Sequence, residues 1–205
     1  MRFFKKGFYD TTYIAWERNY KWQAHEEWEF QLNKKEFSRL LKANKFLEIA
    51  QRAVRIETRT NLLFSFEKMA LRDAVKGNAG AKLFATGLYN YIYGRKNIQK
   101  RFEDFAKVIA SLPRKQTRVY TWPLVTVFGF IAKPEEFIFL KPRVTQQAAL
   151  HYGFNFEYQS KPEWKTYESL LLFAEKVRSD NKDLKPRDYI DLQSFIWVQG
   201  SAEYQ

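Results

Sequence analysis

Apolar residues along most of this chain return at spacings of three and four, the signature of helices with one buried face. Phe37, Leu40 and Leu41 begin such a stripe, and Phe46, Ile49, Ala50, Ala53 and Val54 continue it on one face. Leu62, Leu63, Phe66, Met69, Ala70 and Ala74 form another, ending before Gly77, which reads as a C-cap. Leu83, Phe84, Leu88, Tyr91 and Ile92 make the next, closed by Gly94. Phe102, Phe105, Ile109 and Leu112 follow, stopped by Pro113. Upstream, Asp10 and Thr11 offer caps for a helix through a segment dense in aromatic residues: Trp16, Tyr20, Trp22, Trp28 and Phe30.

The middle of the chain is less regular. Val125, Thr126, Val127 and Phe128 favour a strand, but Trp122-Pro123 places proline where a helix begins, and WPLVTVFGFIA (122–132) reads as a short buried helix. Phe137 to Leu140, cut off by Pro142, is the best strand candidate. One short strand holds no sheet, so any β content is minor. Thr145 can cap a helix through Tyr152, ended by Gly153, and Pro162 opens another with Trp164, Tyr167, Leu171 and Ala174 on its face. The pattern as a whole predicts a mainly α, irregular multi-helix domain of about eight helices. It spans residues 1–205 as a single domain, with an aromatic-rich core and at most a minor short β element.

The last helix lies in DYIDLQSFIWVQG (188–200). Apolar residues occupy nearly its whole circumference, so it is expected to be buried. Asp188 suits an N-cap, and Asp191, three residues on, stands where a capping box places a carboxylate. Arg187 is four residues before Asp191, within ion-pair reach. The competing reading makes Asp191 a general base in a pocket with His151 or Tyr189.

Composition supports a packed core. Of 205 residues, 45% are hydrophobic and 18% aromatic, which argues against disorder over most of the length. There is no cysteine, which excludes disulfides, thiolate zinc sites and cysteine nucleophiles and fits a cytoplasmic protein. MRFFKKGFYD lacks the apolar run of a secretory signal, and no stretch reaches the roughly 20 apolar residues of a membrane span. A soluble protein without a membrane partner is the expectation.

Other chemistry is sparse. His25 and Glu29 are four apart, as two metal ligands on a helix would be, but a third ligand is missing and a surface ion pair explains them better. KGNAGAK (76–82) is the nearest approach to a phosphate loop and reads as a plain turn between helices. No nucleotide-binding or nucleophile-elbow motif occurs, so no cofactor, metal or catalytic residue is assigned.

Charge is the remaining signal. Thirty-five Lys and Arg against 23 Asp and Glu leave a formal +12, which favours a polyanionic partner. Arg52, Arg55 and Arg59 fall at spacings of three and four as one stripe. Arg95 to Arg118 holds eight cations against Glu103 and Asp104: Arg95, Lys96, Lys100, Arg101, Lys107, Arg114, Lys115 and Arg118. Most flank a helix, where mobile donors suit phosphate oxygens, with Tyr91, Tyr93 and Tyr120 nearby to stack on bases. The leading expectation is a nucleic-acid-binding module contacting the backbone of DNA or RNA. Its expected interface comprises Arg52, Arg55, Arg59, Arg95, Lys96, Lys100, Arg101, Arg114, Lys115 and Arg118. The alternatives are a protein-interaction module using exposed aromatics, and an enzyme with a pocket around Asp191.

Overall fold

A computed structural model describes residues 4–113 and 119–204. Among the described residues the chain forms ten helices and no strand. The first is composite. Asp10 accepts the amide of Thr12 and caps α1 (Thr11–Tyr13); a π-helical turn (Ile14–Arg18) follows, and α2 (Asn19–Leu32) continues it. Next come α3 (Lys34–Lys42), α4 (Phe46–Thr58), α5 (Ser65–Val75), α6 (Asn78–Tyr93) and α7 (Ile98–Ser111). The chain closes with α8 (Trp122–Ala132), α9 (Pro142–His151), α10 (Trp164–Asp180) and α11 (Tyr189–Gly200).

The helix α8 explains the arrangement. WPLVTVFGFIA is apolar all round, every one of its residues is buried, and α2, α4, α6 and α7 pack around it. Aromatic rings fill the gaps. Tyr91 stacks on Phe105 at 4.6 Å between centroids, and Phe102 stacks on Tyr167 at the same distance. Gly129 lets the neighbours approach: a Cβ there would lie 2.7 Å from the Tyr91 hydroxyl and 2.9 Å from the Phe137 ring. On the far side, α11 packs along α9.

Several boundaries differ from the periodic reading. The stripe from Phe37 to Val54 is two helices, because Asn44 adopts φ 55° and the amide of Lys45 returns to the carbonyl of Leu40. Asparagine tolerates that left-handed turn, and the spacing of apolar residues alone does not reveal it. Gly77 is the extended N-cap of α6 rather than a C-cap of α5. Thr145 is buried inside α9, which starts earlier at Pro142.

Phe137 to Leu140 is buried, but among the described residues it pairs with no strand. Side chains take the ladder's place. The Tyr167 hydroxyl accepts from the Ile138 amide and donates to the Ile138 carbonyl, each at 3.1 Å. The Leu140 amide donates to Thr126 Oγ1 at 3.1 Å. Backbone groups that would be costly to bury unpaired are thus satisfied without a sheet.

Candidate functional site

The opening aromatic segment is turned the opposite way from a simple hydrophobic-in rule. Trp16 and Phe30 are exposed, while Glu17, Arg18 and Lys21 are buried. The π turn carries Glu17 and Arg18 inward, where they meet α11. Arg18 Nη1 donates to Asp188 Oδ1 and to Asp191 Oδ1, both at 2.9 Å, and Arg18 Nη2 donates to Asp188 Oδ2 at 2.7 Å. Tyr13 donates to Asp191 Oδ1 at 2.7 Å. Lys21 donates to Ser194 Oγ at 2.7 Å and to Glu17 at 3.2 Å, and Tyr204 donates to Glu17 at 2.6 Å. Burial pulls the Lys21 ammonium down to about 8, against the pull of Glu17.

These contacts answer the question posed by the last helix. Asp188 is its N-cap, accepting from the amides of Ile190 and Asp191. Asp191 reaches back one residue further than a capping box, to the amide of Arg187 at 2.9 Å, and takes the Arg187 guanidinium as well. Both of its oxygens are already filled by donors, so no lone pair is left for a base to use. Nor do its expected partners gather there. His151 Nδ1 faces the Gln199 carbonyl at 2.9 Å, and Tyr189 donates to Glu175 at 3.1 Å. The network is a buried clamp between the two ends of the described chain. His25, the other histidine considered, turns Nδ1 to the Ile131 carbonyl at 3.0 Å. Among the described residues no group of three or more carboxylate or histidine side chains is placed to hold a metal. No helix among them is long and apolar enough to cross a membrane.

The cations expected to form one interface fall into three groups. Arg114, Lys115 and Arg118 lie outside the described residues. Of the GRKNIQKR cluster, Lys96 and Lys100 both pair with Asp104, at 2.8 and 3.1 Å. Arg101 is buried, held by the carbonyls of Tyr91 and Ile92 and by Glu136, so its guanidinium already has internal partners. Arg95 is exposed and has no ion pair among the described residues. The tyrosines expected to stack nearby are engaged elsewhere. Tyr91 is buried, Tyr93 donates to the Leu32 carbonyl, and Tyr120 donates to Pro162.

The stripe on α4 fares differently. Arg52 turns toward α3 and is held by Glu36, Glu48 and the Gln31 carbonyl. Arg55 and Arg59 instead line an open cleft of about 750 Å³ between α4 and α5. Its floor is Leu47, Ala50, Val54 and Val75. Its rim carries Arg55, Arg59, Arg72 and Lys76, and no carboxylate lines it. Arg59 has a long pairing to Glu27 at 3.6 Å, and Lys76 pairs with Asp73 at 3.3 Å. Among the described residues Arg55 and Arg72 have no ion pair.

Two further depressions flank α4. One is bounded by Phe30, Lys35, Arg39, Arg52 and Arg55, the other by Lys45, Phe46 and Lys82, and all three meet at Gln51. Across them nine cations stand against two carboxylates, Glu36 and Glu48. Arg72 and Lys76 escaped the sequence reading, though their four-residue spacing placed them on one face of α5. What the sequence did not show is that this face meets the arginines of α4 across a cleft. The chain matches no family model, no curated protein and no solved structure.

Proposed function

We propose that this protein binds the phosphate backbone of nucleic acid along the grooved surface of α3 to α6, centred on the α4–α5 cleft. The observation that carries this reading is the pairing pattern. Arg55 and Arg72 line the same cleft, and among the described residues neither is neutralised by a neighbouring carboxylate. Guanidinium groups left without an internal partner are free to donate in pairs to phosphate oxygens. The excess of cations over the three connected depressions extends the positive field past a single phosphate, as a backbone-tracking site requires.

Lys96 and Lys100 contribute less in this reading, because Asp104 already offsets them. Mobility-shift titrations with mixed-sequence DNA and RNA test the assignment. Wild-type chain should retard both at low salt, and Arg55→Glu with Arg72→Glu should weaken the shift at least tenfold, since two favourable contacts become repulsions. Unchanged affinity in that variant would remove the cleft from consideration.

A further inference from the structure

The cations are not alone on this surface. Phe66 and Met69 leave α5 on its open side, with 52% and 63% of their surface in solvent. Phe64, just before the helix, is 54% exposed and stacks on Phe66, with ring centroids 5.6 Å apart and planes 19° apart. Lys141 holds the pair in place. Its ammonium sits 3.5 Å over the Phe64 centroid and donates to the Leu62 carbonyl at 2.9 Å. Phe66, Met69 and Arg72 follow one another at spacings of three along the exposed side of α5, where Asp73 is also exposed, and Lys76 is the C-cap of the helix. Phe66 therefore stands six residues, or about 9 Å along the axis, from the first cation of the cleft. At the opposite side of α4, Phe30 is 81% exposed and borders the depression that holds Arg39, Arg52 and Arg55.

Cations recognise phosphate whether the strand is single or paired. Exposed rings discriminate, because a duplex stacks its base faces on one another and a single strand leaves them open. Resting on the phosphate-binding reading above, we infer that the ligand is single-stranded nucleic acid, with its backbone in the α4–α5 cleft and unpaired bases stacked on the Phe64–Phe66 platform. Charge complementarity selects this occupant over an apolar protein partner, since the cleft that α5 borders is rimmed by Arg55, Arg59, Arg72 and Lys76. Stacking of this kind tolerates any base, so binding is indifferent to sequence.

The test is fluorescence anisotropy of the full chain with labelled oligothymidylate and oligouridylate, an abasic strand of equal phosphate count, and a duplex of equal length. The inference predicts that the single strands bind roughly tenfold tighter than the abasic strand and the duplex. The DNA and RNA arms show which sugar is preferred, and a preference of either strand over its abasic control supports the proposal. Phe64→Ala with Phe66→Ala should erase that preference and leave the abasic affinity unchanged. Both rings are exposed, and unaltered circular dichroism verifies that the variant folds. Equal binding of abasic and base-bearing strands overturns stacking but leaves the phosphate reading standing. A uniform loss for every probe in the aromatic variant likewise overturns it. No binding of any probe to wild type at low salt overturns both.

Discussion

Tyr13 donates its hydroxyl to Asp191 across 2.7 Å, joining residues 178 positions apart in the chain. The same carboxylate takes Arg18 and Arg187, so one buried anion ties the first helix to the last. Removing it leaves Arg187 without its carboxylate and Arg18 with Asp188 alone, beside an empty buried position. Asp191→Ala is expected to destabilise the fold by about 3 to 5 kcal/mol. Tyr13→Phe removes a single hydrogen bond to a charged acceptor and is expected to cost about 1.5 to 3 kcal/mol. Urea denaturation of both variants checks the order. A Tyr13→Phe loss as large as that of Asp191→Ala would place the weight on the hydroxyl instead.

Glu57 gives the fold a pH dependence of its own. It is 1% exposed, and burial lifts its carboxyl to about 7, with Lys68 at 3.8 Å and the Thr60 hydroxyl working against the rise. The folded chain then keeps a proton that the unfolded chain releases near the ordinary carboxyl value of 4.5. The stability this proton confers is fully present below that value and is lost as pH rises through about 7. Relative to Glu57→Gln, wild type should lose up to about 3 kcal/mol across this window. Chemical denaturation of the pair at several pH values measures the difference, and parallel pH profiles would contradict it.

Gly200 lies where α11 crosses α9. A Cβ there would fall 2.0 Å from the carbonyl oxygen of Val144, and a backbone atom cannot swing aside as a side chain does. Gly200→Ala is expected to cost at least about 1 to 3 kcal/mol through displacement of the two helices. Gly77→Ala serves as the control, because a Cβ at Gly77 meets nothing within 4 Å and the backbone there is extended. Thermal melts of the two should separate clearly.

The two basic groups should respond differently to substitution. Lys96→Ala with Lys100→Ala removes charges that Asp104 already offsets, and should change nucleic-acid affinity by less than about threefold. Arg55→Ala with Arg72→Ala removes charges that no carboxylate among the described residues pairs with, and should weaken binding by roughly tenfold or more. Equilibrium titration of both variants at one salt concentration decides between them.

The helices α6 and α7 were legible because their apolar stripes were clean and Gly94 and Pro113 closed them, whereas α8, apolar all round, was placed by Pro123 against the strand preference of Val125 to Phe128. The break at Asn44 was not, since a left-handed residue interrupts the backbone without interrupting the hydrophobic pattern. Nor was the inversion at Trp16 and Arg18, because a π turn rotates the face that a 3.6-residue period assigns. Composition showed the charge excess but not its pairing. Arg101 and Arg55 look alike in sequence; one is buried against backbone carbonyls and the other faces an open cleft. Asp104, one turn along α7 from Lys100, pairs with both Lys96 and Lys100, a relationship that only the helix turn brings about.

The most direct measurement is the dependence of single-strand affinity on salt, compared between wild type and Arg55→Glu with Arg72→Glu. Four rim cations engaging phosphates give a slope of log K against log salt near −3, from about −0.7 per contact. The double variant should flatten that slope by roughly one to two units. A wild-type affinity that salt does not change, or a variant with the wild-type slope, would contradict a phosphate-binding role for the α4–α5 cleft.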